Sequence, residues 1–511
     1  MLSTQLHPAA RRWQVELGLI LLAAVALRSL FFVGFGLGDD LGYLTYVTDI
    51  LAGRYPPLEP LNQYAYRPVL LLSFTAGVAL FGYTDVGIVF PVLVASLATT
   101  ALVYVFVRTL IARDAAWWCA LLYACAPFNV VNSTTMTNDV ILSAFVFAAV
   151  VLFLCADRDV ATRRSRVLFA AAAVVMTAAF LVKMTILPAL VALAVYSAVQ
   201  AWRRPLAAAL RHSVFYLSLV LCLGAILFVY YLLKGDPLWQ FRSELLYYET
   251  YKPDWYVRGE IDYWHLMWQY PRSLFWLSGP GSFRFLDHGL LFWLFVPASI
   301  WVAVRRGEGI LKFLIGLAIV TFTFLQFYPQ HLIPRYLPLI RQERYLELLL
   351  PAVAIVVGVM FYRFAVKQRV LALVLMSVVL ADFAYEASRR WLLYRDSQED
   401  VRQLAREAVS VVPAGKTLHV DLPARNALLF FLRGRPVTLD LITGKRDEDL
   451  HGSYVAAGGA RSFWWAREMV FDVDPVVVPD HWMLVSEIPG RRLPWRPSSM
   501  RLYYVSDAAR D

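Results

Sequence analysis

The sequence predicts a mainly α-helical, multi-pass membrane protein with a small α/β domain after its last span. Three observations carry this. First, hydrophobic residues make up 59% of the 511 residues and charged residues only 17%, against roughly 45–50% and about 25% in soluble proteins. A soluble globule of this size buries only about 75% of its surface, too little to hide the excess. Second, apolar stretches long enough to cross a bilayer recur from residue 14 to residue 386. Third, beyond residue 386 the composition turns to mixed charge with short strand-like runs. A soluble enzyme, a disordered chain and a fibrous protein are thereby excluded.

Taken in order, the spans are read at 14–35, 84–110, 115–132, 139–156, 166–182, 184–201, 213–233, 289–304, 310–327, 346–363 and 369–386. Residues 68–82 form a further apolar run, short for a crossing. If it dips in or lies along the surface the alternation holds, and if it crosses a neighbour must be re-entrant, so the count is 11 to 13 spans. The first stretch looks like a signal peptide, but Arg28 interrupts its core and no clean cleavage site follows. It is expected to stay as a helix.

Orientation follows from charge. One set of span ends carries Arg11 and Arg12, Arg163, Arg164 and Arg166, Arg203 and Arg204, Arg305 and Arg306, Arg363 and Lys367. Across all such ends 17 bases face four acids, Asp114, Asp157, Asp159 and Glu308. These ends are assigned to the cytoplasm. The formal net charge of +10 is therefore an orientation signal, and nucleic acid is not an expected partner.

The outside then receives loops 36–67, 234–288 and 328–345 and the tail. The expected domains are a membrane part, 1–386, and an extracytoplasmic α/β domain, 387–511. In the tail TLHVD (417–421) and PVTLDL (436–441) flank ARNALLFFLRG, a strand–helix–strand order. The cysteines Cys119, Cys125, Cys155 and Cys222 lie in apolar stretches without metal-ligand spacing, so neither a disulfide framework nor a cysteine zinc site is expected.

Polar residues collect at the outer ends. Asp39 and Asp40 follow the first span, with Tyr43 and Tyr46 one turn apart behind them. They read either as solvated acids at a helix N-terminus or as a general base at the membrane surface. Arg67, with Tyr64 and Tyr66, stands where the chain re-enters the membrane. It is either a headgroup anchor or a phosphate ligand. Asp139 opens a span, as a helix cap or as a functional acid kept near lipid. Lys183, between two spans, either snorkels to the headgroups or pairs with a lipid phosphate, and Arg28 is read the same way. Loop 234–288 has the Trp and Tyr of a segment lying in the interface, a plain surface loop or a lid. His265 and His288 lack a close acidic partner in sequence and are weak ligand candidates. Arg335, Arg341, Arg344 and Tyr345 make a basic outer rim, for phosphate or for anionic lipid.

Together these residues resemble the polytopic membrane glycosyltransferases of the GT-C fold, which use polyprenyl-phosphate sugars. The likeness is to the bacterial aminoarabinose-transferase and protein O-mannosyltransferase branch, over roughly residues 14–365. It rests on Asp39-Asp40 with Tyr43 three residues on, Gly53 before the loop, Tyr64-Ala-Tyr66-Arg67-Pro68, Thr137-Asn138-Asp139, Lys183, and Arg344-Tyr345 before LELLLPAVA. The resemblance implies Asp39 as general base, with Asp40 and Asp139 orienting acceptor or base. It implies Tyr64, Arg67, Lys183, Arg344 and Tyr345 at the donor phosphate. The family's glutamate is Tyr66 here, so a metal ligand of some members is missing. A divalent metal is not supported and no other cofactor is implied. The implied donor is a polyprenyl-phosphate sugar and the implied acceptor a glycolipid, a cell-wall glycan or a protein. The implied place is the bacterial plasma (inner) membrane, among its lipids, with the site and tail facing outward. A transporter or flippase of a lipid-linked saccharide is the competing class. It would place its polar residues near the midplane, commonly within repeats; here they sit at span ends and no repeat is visible. A non-catalytic scaffold has no need of the Asp39–Asp40 and Arg67 bracket.

Overall fold

The computed structural model describes residues 8–35, 39–55, 64–159, 162–203, 207–250, 259–260, 262–276, 286–331, 336–338, 343–420, 422–433, 435, 437–442, 444–457, 478–488 and 500–506. Among these, eight helices are long and apolar enough to cross a membrane: Trp13–Leu30, Asp85–Leu110, Asn138–Arg158, Arg163–Val182, Leu210–Lys234, Gly309–Phe327, Glu343–Lys367 and Arg369–Arg395. Pro68–Phe81, Leu187–Arg203 and Leu291–Ala303 are shorter apolar helices. The chain is a multi-pass membrane protein.

Local chemistry explains the element ends. Thr84 caps the Asp85–Leu110 helix, its side chain accepting from Gly87 N at 3.1 Å. The hairpin before it turns at Gly82, with φ +69°, a conformation that L side chains rarely adopt. A side chain on Gly77 would strike the Gly87 carbonyl, so this short helical pair needs glycine to close. The apolar stretch 115–132, expected as one span, is two helices, Ala116–Cys125 and Pro127–Asn132. Pro127 has no N–H to continue the ladder and opens the second helix at its first turn. The last membrane helix runs 43 residues, Arg369–Val411, without a break at residue 387.

The chain divides into two compact units. The first comprises Met1–Gly34, Tyr46–Ser278 and Phe285–Arg390. Its most buried candidate spans are Asn138–Arg158 and Glu343–Lys367, the latter buried continuously from Leu349 to Val359. Gly358 lets this helix approach Cys119, where an added Cβ would lie 2.6 Å from Sγ. A short antiparallel pair, β1 (Pro329–His331) and β2 (Leu337–Pro338), belongs to the same unit.

The second unit comprises Phe35–Thr45, Gly279–Arg284 and Trp391–Asp511. Its strands are β3 (Thr417–Val420), β4 (Thr438–Leu441), β5 (Tyr454–Ala457), β6 (Met483–Ile488) and β7 (Met500–Tyr504), in the order β4-β3-β5-β7-β6. β3 runs parallel to β4 and β5, and β7 antiparallel to β5 and β6. The Leu422–Phe431 helix makes the β3-to-β4 crossover, as the strand–helix–strand pattern anticipates. Leu450, Val455, Trp482, Tyr503 and Val505 form part of its core.

Candidate active site

The polar residues of the first unit converge on Asp139. Thr137 caps the Asn138–Arg158 helix, its hydroxyl accepting from Asp139 N at 3.4 Å. Asp139 is thus not the cap. Its carboxylate lies in the first turn, where the helix dipole favours an anion, and is only 1% exposed. Lys183 follows the Thr162–Val182 helix directly and donates to Asp139 Oδ1 at 2.7 Å. Arg344, on the 3-10 turn Glu343–Leu349, reaches Asp139 Oδ2 with Nε at 3.4 Å. Its neighbour Tyr345 places its ring centroid 3.7 Å from Lys183 Nζ, a cation–π contact.

Arg67 completes the cluster from the chain entering the Pro68–Phe81 helix. It is buried, and its charge acts on Lys183 together with that of Arg344. Gln240 Nε2 donates to Tyr66 O at 3.1 Å, and Trp239 packs edge-on against Tyr66 at 4.8 Å. Tyr55 donates to Ala65 O at 2.8 Å. The Trp239–Thr250 helix of the aromatic loop therefore holds the segment that carries Tyr64 and Arg67.

Burial pushes the Lys183 ammonium down to about 8; Asp139 opposes this, and the like charges of Arg344 and Arg67 add to it. Two cations thus contact one carboxylate, and Arg67 acts on one of them. Positive groups with little water to screen them suit a phosphate. Arg344, 28% exposed, gives the cluster a way to the surface.

Two sequence readings are corrected. Neither Lys183 nor Arg28 snorkels. Lys183 finds Asp139 inside the fold. Arg28, 1% exposed, donates to Ser96 Oγ at 2.7 Å, to Ala24 O at 3.0 Å, to Ala124 O at 3.1 Å, and to Asn129. Internal acceptors on neighbouring helices replace the headgroups. Glu347 and Asn129 join the functional candidates only through the structure, although an acid in the apolar run LELLLPAVA is a sequence signal of its own.

Asp39 and Asp40 are the first two residues of the Asp39–Leu51 helix, and their side chains lie outside the described residues. So do Arg335, Arg341 and the side chain of His265. His288 is fully buried, stacked on Phe128 at 4.7 Å and edge-on to Phe292 at 5.0 Å, and burial together with Arg390 keeps its ring neutral. Among the described residues no three His, Cys, Asp or Glu side chains form a metal-ligand group.

Residues 66–231 match the sequence family described as dolichyl-phosphate-mannose-protein mannosyltransferase. No curated protein matches the chain in sequence. The solved structure of ArnT from Cupriavidus metallidurans bound to undecaprenyl phosphate is similar with a TM-score of 0.58 at 15% identity, over 98% of this chain and 99% of that one. The oligosaccharyltransferase of Archaeoglobus fulgidus, in a complex with zinc and sulfate, is similar with a TM-score of 0.55 at 12% identity. That alignment covers 81% of this chain but only 61% of the archaeal one. The chain has the GT-C fold.

Proposed function

We propose that the chain is an inverting glycosyltransferase that moves a sugar from a polyprenyl-phosphate donor to an acceptor outside the cytoplasm. The acceptor is a glycolipid, a cell-wall glycan or a protein. The family match and the fold support a glycosyltransferase of the GT-C type. The observation that carries the donor class is the meeting of Lys183 and Arg344 on Asp139, with Arg67 acting on Lys183.

In this reading Lys183, Arg344 and Arg67 bind the donor phosphate, with Tyr64 and Tyr345 beside them. Asp139 orients two of the cations. An acceptor hydroxyl or amine attacks the anomeric carbon on the face opposite the phosphate. The new bond forms as the carbon–oxygen bond to phosphate breaks, and the electron pair leaves on the lipid monophosphate. The cations stabilise that developing charge. Asp39 takes the acceptor proton, and Asp40 orients it. The protein sits in a bacterial plasma membrane, with the site and residues 387–511 on the outer side.

The test is transfer by the purified protein from a radiolabelled polyprenyl-phosphate sugar, with anomeric configuration read in the product. Inverted product with release of lipid monophosphate supports the reading. Movement of intact lipid-linked sugar across a vesicle, without transfer, would establish the transporter class instead.

A further inference from the structure

Behind the cation cluster lies a second buried polar group that the proposed reaction does not use. Glu347 is fully buried one 3-10 turn after Arg344. Residues three apart eclipse one another on such a turn, so Arg344 and Glu347 share a face. That face docks along the start of the Asn138–Arg158 helix at two successive turns. Arg344 meets Asp139, and Ser143, four residues on, donates to Glu347 O at 3.1 Å.

The Glu347 side chain is anchored on Asn129. The Asn129 amide donates from Nδ2 to Glu347 Oε1 and to Tyr123 OH, the latter at 3.0 Å. Its Oδ1 accepts from Arg28 and from Ser96, the latter at 2.6 Å. Both ends of the amide are used, so its orientation is fixed by Arg28 and Ser96 on the oxygen side and by the Glu347 carboxyl and Tyr123 on the nitrogen side. Asn129, Ser96 and Tyr123 are all fully buried. A polar group so far from water needs a partner. Glu347 finds its own in Asn129, which Arg28 holds from the other side.

We infer that Arg28, Asn129 and Glu347 form a positioning relay that fixes the turn carrying Arg344 and Tyr345 and so sets the affinity for the donor phosphate. Glu347 is a positioning residue that acts through Arg344. The inference rests on the proposed donor class.

The test measures binding of undecaprenyl phosphate to the full chain in detergent, with donor KM and kcat alongside. Failure of the wild-type protein to bind would sink the donor reading itself. Given wild-type binding, Glu347→Ala is expected to weaken it about tenfold, the scale of a small displacement of a binding group. At saturating donor kcat is expected to stay within about threefold of wild type. Glu347→Gln keeps the Oε1 acceptor and is expected to restore binding to within about threefold. Asn129→Ala acts at the other side of the same bond and keeps the test open should Glu347→Ala not fold. The double variant is expected to lose no more than the worse single one. Unchanged affinity in Glu347→Ala or Asn129→Ala overturns the inference. So does a fall in kcat with unchanged KM, the mark of misfolded protein, or additive losses in the double variant.

Discussion

The two ends of the Asn138–Arg158 helix each bury an aspartate, and they are built differently. At the C-terminal end Asp157 accepts from Tyr196 at 2.7 Å and pairs with His212 at 3.0 Å. Phe153, Phe169 and Phe215 surround that imidazole, directly or through one another. One carboxylate meets one phenol and one imidazole, which closes a clasp between helices. At the N-terminal end Asp139 meets Lys183 and Arg344, with Arg67 close enough to act on Lys183. There two cations meet the acid, and Arg344 remains partly exposed. The one cluster joins helices within the fold; the other keeps a charged group within reach of a ligand. Breaking a buried pair is costly in both cases, so stability alone does not separate them and donor binding does.

The largest expected effect lies with the acid that would drive the chemistry. Asp39→Asn is expected to reduce transfer by about 10²–10⁴-fold, the usual contribution of a general base, with donor binding retained. Normal turnover by that variant would remove Asp39 from its role. Next comes Lys183→Met, which leaves Asp139 with Arg344 alone. It is expected to destabilise the protein by less than the about 3–5 kcal/mol of a fully orphaned buried charge, because Arg344 still compensates the acid, and to weaken undecaprenyl phosphate binding. Melting temperature and affinity would be read together, and a stability loss without an affinity loss would make this end a clasp like the other.

A smaller effect should appear with pH. Lys183 is charged below about 8 and neutral above it. Donor kcat/KM is therefore expected to fall as pH rises through about 8, well below the ordinary lysine range near 10.5. Lys183→Arg should flatten that limb, because a guanidinium stays charged. A fall that persists in the variant would have another origin. The smallest effect belongs to the clasp. Tyr196→Phe removes one bond to Asp157 and is expected to cost about 1–3 kcal/mol in thermal unfolding with donor affinity unchanged. A change in donor affinity would show that the two ends are not independent.

Much of the membrane fold is legible in the sequence because span length and hydropathy are local properties. Pro127 and the long Arg369–Val411 helix are exceptions with local causes. A proline inside an apolar run divides it. The charged stretch after residue 386 contains good helix formers and no proline or glycine before Pro413, so the helix continues. The candidate site was legible one residue at a time. Asp139 and Lys183 stand out as charges beside apolar runs, and Arg344 as part of a basic outer rim. Their pairing does not, because Lys183 and Asp139 are 44 positions apart and meet only through helix packing. The same limit hid Arg28, whose partner Asn129 is 101 positions away. Without that partner in view, an arginine in a span reads as an interfacial anchor. The role of Asp39 rests on its motif, since its side chain lies outside the described residues.

The most direct measurement compares undecaprenyl phosphate with uncharged undecaprenol as ligands of the wild-type protein and of Arg67→Ala. The wild type is expected to prefer the phosphate by at least about tenfold, the scale of a charge-assisted hydrogen bond, and Arg67→Ala to lose most of that preference. Equal binding of the two lipids by the wild-type protein would contradict the assignment of this cation cluster to a lipid phosphate.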